Sequence, residues 1–274
     1  MGMTLFGACL GLVSAAVFGV AAVVQAQAVR GFESSPDGLW GFVRRSVRDG
    51  RTMLVVAAYL VGFVLHAAAI WLLPLYLAQA LVAMSLPVTA LASHRVEDAL
   101  HRTGWLAVGV VTLGLVLLSL GAGAPGEVQS TPGFVVALWV AVAVLALAST
   151  AGRHLPGALL GLLAGLGYAG SATSVRGVGT PIDPVVVVAA LAVPVFGLVA
   201  FWLYSLGMHR AAVPSTTASL IVAQTFVPAA VGVALLGDGV RDGWWPGVTV
   251  GLLLATGGAA VLGASRSPAS PARR

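Results

Sequence analysis

Long stretches without a charged side chain are the feature that most limits how this chain can fold. Nine such apolar segments each have about the 20 residues that a helix needs to cross a bilayer; they lie at about 3–28, 52–73, 74–93, 103–121, 132–150, 155–174, 184–206, 211–236 and 245–264. Only 8% of the residues are charged, whereas a soluble domain carries about 25%. The sequence therefore excludes a soluble globule and predicts an all-α, polytopic membrane protein with nine transmembrane helices.

The second and third segments adjoin at Pro74. As one helix they would contain about 40 residues and overshoot any bilayer. Because proline lacks the backbone N–H and clashes with the preceding turn, we expect one helix to end before Pro74 and the next to begin after it.

The distribution of arginine between the loops predicts the orientation of the chain. There is no lysine, and with the first loop in the cytoplasm twelve of the 14 arginines lie on the cytoplasmic side, leaving only Arg176 and Arg241 outside. Positive charge is retained in cytoplasmic loops. We therefore expect a multi-pass protein of the cell membrane with its N-terminus outside and its C-terminus in the cytoplasm.

The first loop has an amphipathic pattern between Leu39 and Arg51. Five apolar residues fall on one side of a helical wheel and four arginines on the other: Leu39, Trp40, Phe42, Val43 and Val47 against Arg44, Arg45, Arg48 and Arg51. This pattern predicts a short helix in the cytoplasmic interface. Anchoring is the favoured role, and recruitment of an anionic lipid or partner is the alternative.

The two halves of the chain share features at a nearly constant separation. Matches occur at offsets of 150 and 141 residues: Gly7–Ser14 with Gly157–Ala164, Pro87 with Pro228, and Glu97 with Asp238. Because an odd number of spans separates corresponding helices, the halves are predicted to be inverted relative to each other. The predicted units are a four-helix repeat at 1–121, a connector helix at 122–154, a second four-helix repeat at 155–264 and a cytoplasmic tail at 265–274.

Inverted repeats are typical of secondary transporters, which bind their substrate between the halves near the bilayer midplane. Glycines at four-residue spacing lie at equivalent places in the two halves: Gly7 and Gly11 in the first, Gly157, Gly161 and Gly165 in the second. Small residues at this spacing let helix backbones approach. They predict that the first and sixth helices meet at the pseudo-symmetry axis.

These residues also carry a resemblance to a known family. Ser85–Leu91, Glu97 and the glycines at 109 and 114 resemble the repeat signature of the drug/metabolite transporter superfamily in its EamA-like branch, and the second copy comprises Thr225–Pro228, Gly237, Asp238, Gly251 and Gly257. EamA-like proteins have ten spans, whereas each half here lacks the family's second helix and a connector is added. The nine-helix layout is similar to that of the NIPA-type magnesium transporters. The resemblance implies a transporter fold and leaves the substrate open.

Polar side chains within the apolar segments are the candidates for a substrate site. A glutamine in hydrocarbon is costly unless its amide is hydrogen-bonded, so Gln79 and Gln224 are expected to face protein or a polar cavity. The predicted substrate-binding residues are His66, Gln79, Ser85, Thr217, Gln224 and Thr225, and the predicted hinges are Pro87 and Pro228. Hydrogen bonding between helices is the alternative role for each polar residue.

Acidic side chains are confined to the loops, where Glu97 and Asp238 are predicted to line aqueous vestibules. Magnesium requires oxygen ligands, and no carboxylate lies within a span. The sequence therefore favours a permease for a small neutral or amphipathic solute, in contact with the lipid bilayer and without cofactor, resident metal or nucleic acid. The alternatives are a NIPA-like magnesium transporter and a non-transporting protein that handles or scaffolds lipids. An enzyme is disfavoured, because the spans contain neither a nucleophile with a base nor paired acids.

Overall fold

The described residues fold into eleven helices joined by loops. A computed structural model describes residues 2–30, 38–73, 75–93, 101–121, 123, 126, 131–152 and 154–264. Its helices are α1 (Gly2–Arg30), α2 (Gly38–Ser46), α3 (Gly50–Leu72), α4 (Leu75–Ala83), α5 (Ser85–Ser93), α6 (Arg102–Leu120), α7 (Pro132–Gly152), α8 (Gly157–Val175), α9 (Pro184–Arg210), α10 (Val213–Leu235) and α11 (Trp245–Ala264). The cytoplasmic tail predicted at 265–274 lies outside the described residues.

Seven of the described helices are long and apolar enough to cross a membrane, namely α1, α3, α6, α7, α8, α9 and α10. The prediction of an all-α, polytopic membrane protein is thereby confirmed. The two other predicted spans correspond to the α4–α5 pair and to α11. Their described apolar stretches are shorter, at Leu77–Ser93 and Trp245–Ala255.

The second and third predicted spans are separate helices, as the position of Pro74 predicts, although Pro74 itself is not described. The third span is itself interrupted, because α4 ends at Ala83 and α5 begins at Ser85. Between them the Met84 N–H donates to the Leu81 carbonyl oxygen at 3.1 Å. Pro87 contributes to this interruption, since it has no N–H to donate to the carbonyl of Ala83 four residues earlier.

The matching proline in the second half behaves differently. α10 continues from Val213 to Leu235 with Pro228 inside it. Pro228 therefore does not interrupt its helix, and its role as a hinge stays a prediction. Pro228 still leaves one backbone acceptor without its helical donor, the carbonyl of Gln224.

The predicted amphipathic helix in the first loop is confirmed as α2, but it ends at Ser46, before Arg51. The next helix, α3, starts at Gly50 because Asp49 caps it. The Asp49 carboxylate accepts a hydrogen bond from the Thr52 N–H at 2.9 Å and another from the Thr52 hydroxyl. These two bonds hold the pKa of the Asp49 carboxyl below its usual value, and the bond from the Thr52 hydroxyl has the larger effect. The cap therefore stabilises α3 at neutral pH, and its contribution is lost as the pH falls through that lowered pKa.

The helices pack in two similar groups. In one, α1 packs on α3, α4 and α5, while in the other α8 packs on α9 and α10. Across the groups, α6 packs along α11, α10 packs on α4 and α5, α1 packs on α9, and α3 touches α8. α2 packs on α3 and on α9, so it lies across the ends of these two helices.

The glycines of α8 bring it close to α9 and α10. A Cβ on Gly161 would collide with the carbonyl oxygen of Thr216, and Gly157 and Gly165 also lie against backbone of these two helices. Gly7 of α1 lies instead against the side chain of Leu73. The prediction that the first and sixth helices meet at the pseudo-symmetry axis is wrong, because α1 and α8 do not pack on each other. The spacing marks a close-packed face without specifying which helix packs on it.

A buried ion pair joins three loops at one end of the bundle. Arg176 follows α8 and Asp238 follows α10, and Arg176 Nη2 lies 3.2 Å from Asp238 Oδ1. Arg176 Nη1 donates to the Gly126 carbonyl oxygen at 2.8 Å, and the Gly126 N–H donates to Asp238 Oδ1. We call Gly126, Arg176 and Asp238 the ion-pair cluster. It links the α6–α7, α8–α9 and α10–α11 loops.

Replacing Gly161 by alanine tests the close approach of α8 to α10. We expect Gly161→Ala to lower the free energy of unfolding by about 1–3 kcal/mol, the usual cost of overpacking. The measurement is the midpoint of unfolding in detergent. Gly109→Ala is the control, because a Cβ at Gly109 meets no atom within 4 Å; equal midpoints for the two variants would contradict the packing.

Replacing Asp238 by asparagine tests the ion-pair cluster. Asp238→Asn leaves the Arg176 guanidinium buried without its counter-charge, which costs about 3–5 kcal/mol in comparable buried pairs. We expect a corresponding loss in the free energy of unfolding. Asp242→Asn in the same loop is the control, since Asp242 is exposed, and a similar loss there would show that general loop charge matters instead.

Candidate functional site

A cavity of about 460 Å³ lies in the middle of the helix bundle. Helices α1, α3, α4, α5, α8, α9 and α10 form its wall, to which α6, α7 and α11 contribute no described residue. Along α9 the lining residues extend from Val193 to Tyr204, which is about 16 Å at the helical rise per residue. This volume is in the range of pockets that bind small organic molecules.

Five of the six predicted substrate-binding residues line this cavity: His66, Gln79, Ser85, Thr217 and Gln224. They come from both groups of helices and are brought together only by the fold. Thr225 is buried, with 2% of its surface exposed, but it is not part of the wall. The function of the five residues in binding a solute stays a prediction.

His66 and Gln79 form a polar pair in the wall. The Gln79 amide nitrogen lies 3.2 Å from His66 Nε2, and both side chains are buried. An imidazole that accepts this bond at Nε2 is neutral and has its proton on Nδ1. His66 Nδ1 has no hydrogen-bond partner among the described residues, so the pair retains one unused donor.

A second polar pair lies on the opposite side, between α9 and α10. The Tyr204 hydroxyl is 2.5 Å from Thr217 Oγ1, and both residues line the cavity. Either hydroxyl can donate, so the pair can present a donor or an acceptor to a bound molecule. It is well suited to a neutral solute that carries hydrogen-bonding groups.

Three tyrosines of the wall, Tyr59, Tyr168 and Tyr204, were not among the residues selected from the sequence. A usable signal was present for two of them, because tyrosines in membrane proteins concentrate near the interfaces, and Tyr59 and Tyr168 lie well inside α3 and α8. A tyrosine in the middle of a span needs a partner for its hydroxyl. Tyr204 gave no such signal, because it lies close to the end of its predicted span.

Gln25 links the two groups of helices beside the cavity. Its amide nitrogen donates to the Ser205 hydroxyl at 2.6 Å, and its amide oxygen accepts a hydrogen bond from the Tyr59 hydroxyl at 2.8 Å. Ser205 in turn donates to the Phe201 carbonyl oxygen at 2.8 Å. This chain of bonds joins α3, α1 and α9.

Aromatic rings close the cavity on the side where α2 lies. The ring of Tyr59 stacks on Phe18 and meets Phe201 edge to face, each at a centroid distance of 5.7 Å. Phe42 of α2 packs on the far side of Phe201 at 5.6 Å. The interfacial helix therefore contacts the aromatic cluster directly.

The predicted vestibule acids are not brought to the cavity. Asp238 is paired with Arg176 in the ion-pair cluster and is 3% exposed, which does not fit an acid that lines an aqueous vestibule. Glu97 lies outside the described residues. No acidic side chain belongs to the described part of the wall, and the described residues contain no group of three or more His, Cys, Asp or Glu able to hold a metal ion.

Comparison with known proteins gives no match: no protein-family model, curated protein or solved structure is significantly similar to this chain.

Replacing Gln25 by leucine tests the hydrogen-bonded chain. Gln25→Leu leaves the buried hydroxyls of Tyr59 and Ser205 without this partner, and we expect a loss of about 1–3 kcal/mol in the free energy of unfolding. Gln27→Leu is the matched control, because Gln27 lies on the same helix and is exposed. The prediction fails if both substitutions shift unfolding in detergent equally.

Proposed function

We propose that this protein is a permease of the drug/metabolite transporter type that moves a small neutral or amphipathic solute by alternating access. The observation that carries the proposal is the central cavity, whose uncharged wall contains hydrogen-bonding side chains from both groups of helices. Largely apolar pockets with a few polar groups are typical of sites for small organic molecules.

The packing of the helices supports an inverted repeat with nine spans. The proposed repeat pairs α1 with α8, α3 with α9, α4–α5 with α10, and α6 with α11. The contact of α1 with α3 then has its counterpart in the contact of α8 with α9, and the contact of α1 with α9 has its counterpart in that of α8 with α3. Two helices would pack on their own counterparts, α4–α5 on α10 and α6 on α11. Such self-pairing is expected close to a pseudo-two-fold axis.

In the proposed orientation the N-terminus is outside and the C-terminus is in the cytoplasm of the cell. The ion-pair cluster then lies at the outer face, and α2 lies in the cytoplasmic interface. Most of the arginines whose side chains the structure describes then lie on the cytoplasmic side, as the distribution of positive charge requires. They are Arg44, Arg45, Arg48, Arg51, Arg102 and Arg210.

The alternatives receive less support from the cavity. Magnesium retains water and binds one or two carboxylates, whereas the described wall offers hydroxyls, amides and an imidazole. A protein that only scaffolds lipids needs no hydrogen-bonding groups in its interior. The pairs His66–Gln79 and Tyr204–Thr217 therefore favour the solute permease.

Two threonines on α10 give a matched test of the proposed site. Thr217→Val removes a cavity hydroxyl, and Thr225→Val makes the same change at a buried position outside the wall. A panel of uncharged solutes, including indole, nucleosides and N-acetyl amino-acid amides, is first screened by thermal shift. We then expect Thr217→Val to weaken the affinity of a bound solute about tenfold, or roughly 1.4 kcal/mol. Thr225→Val should leave the affinity unchanged.

Exchange of the bound solute in sealed proteoliposomes then tests transport. No saturable exchange by folded protein would count against the permease, and equal effects of the two threonine substitutions would place the site elsewhere. Vesicles that hold a magnesium-sensitive dye provide the second arm. Saturable magnesium uptake, measured against protein-free vesicles, would support the NIPA-like alternative instead.

A further inference from the structure

The central cavity reaches the lateral surface of the bundle between α3 and α9. Three described residues of the wall are exposed, Leu60 on α3 and Pro194 and Leu198 on α9. Leu60 is 61% exposed and Leu198 is 44% exposed, comparable with the neighbouring Val61 at 56%, which is not part of the wall. We call the gap flanked by Leu60, Pro194 and Leu198 the lateral opening.

The arrangement of the helices explains why a gap is left here. α3 packs on α1, and α9 packs on α8, but α3 and α9 do not pack closely on each other along the cavity. They meet at the ring contact between Tyr59 and Phe201, 5.7 Å between centroids. The opening therefore lies beside this contact, at the level of the membrane-spanning parts of both helices.

Both ends of the bundle are more closely packed than its side. On the side of α2, Phe42 packs on Phe201 and the hydrogen bonds of Gln25 join α3, α1 and α9. Towards the other end, a cluster that includes Ile70, Leu73 and Leu236 is almost completely buried. In the described part of the chain, the exposed wall residues all lie at the lateral opening.

The chemistry of the wall changes from the opening to the interior. Leucine and proline side chains flank the opening, while the pairs His66–Gln79 and Tyr204–Thr217 lie deeper and are buried. A molecule dissolved in the bilayer would keep its apolar part among similar side chains and gain hydrogen bonds for its polar part inside. A strongly hydrated solute would have to lose its water before it reached those bonds.

We infer that the gap between α3 and α9 is a lateral access route, through which an uncharged amphipathic molecule passes from the bilayer into the central cavity. This inference rests on the proposed function for the identity of the cavity as a solute site, and it adds the route and the class of solute. α2 lies beside the route, because it packs on both helices that flank the opening.

Photolabelling from within the membrane tests the route without any transport assay. The protein is reconstituted in phosphatidylcholine vesicles and labelled with trifluoromethyl-iodophenyl-diazirine, an uncharged aromatic reagent that partitions into lipid. α8 contains its own control, since Tyr168 and Ser171 line the cavity, whereas Leu162 and Leu166 are exposed on another face. Peptide mass spectrometry should find label at both pairs of residues.

Narrowing the opening should reduce the labelling of Tyr168 and Ser171 without changing that of Leu162 and Leu166. In the double variant Leu60→Trp with Leu198→Trp, we expect labelling of Tyr168 and Ser171 to fall about tenfold, equivalent to roughly 1.4 kcal/mol of added barrier, with labelling of the exposed leucines unchanged. Val61→Trp with Leu191→Trp is the matched control, because both positions are exposed on the same helices outside the wall. Each single tryptophan variant is measured as well, so that the test remains available if the double variant does not fold.

The inference is overturned if wild-type protein is not labelled at Tyr168 and Ser171, or if the tryptophans at Leu60 and Leu198 do not reduce that labelling. These outcomes are distinct from failure of the proposed function. If solute affinity depends on Thr217 but the tryptophans at Leu60 and Leu198 do not change the labelling, the permease is supported and the lateral route is not. Labelling that depends on the opening, with no solute bound, supports the route and contradicts the permease.

Discussion

A polar group placed in hydrocarbon must find its partner inside the protein, and this requirement organises the interior of the chain. Three polar arrangements join different helices or their loops: Gln25 with Tyr59 and Ser205, Tyr204 with Thr217, and Arg176 with Asp238 and Gly126. Gln25 and Ser205 lie 180 positions apart and Arg176 and Asp238 lie 62 apart, whereas Tyr204 and Thr217 lie 13 apart on adjacent helices. Of the three, the Tyr204–Thr217 pair lines the central cavity, the bonds of Gln25 lie beside it, and the ion-pair cluster joins loops at one end of the bundle.

The sequence predicted what depends on short-range patterns. Charge-free segments identified the seven long apolar helices of the described residues, Pro74 identified the boundary between α3 and α4, and the amphipathic pattern identified α2. The cost of an unbonded amide in lipid also led to Gln79 and Gln224, both of which line the cavity. These inferences succeed because each needs only the local sequence and the solvent around it.

The remaining features depend on contacts that no local pattern specifies. Asp238 looked like a free loop acid because its partner Arg176 lies 62 positions earlier and on another loop. The glycines of α1 and α8 marked close-packed faces, but the partner of each face follows from the fold. The lateral opening could not be predicted either, since Leu60 and Val61 are both apolar residues of one helix, and only the position of α9 distinguishes them.

The proposed repeat gives a meaning to the different behaviour of its two prolines. Pro87 lies in α5, just after the interruption between α4 and α5, whereas Pro228 lies within the continuous helix α10, although the two occupy matching positions in the sequence. In an inverted repeat, alternating access follows when the halves exchange their conformations. Under that proposal the interrupted and continuous helices are two conformations of one element. The opposite state would then have a continuous α4–α5 and an interrupted α10.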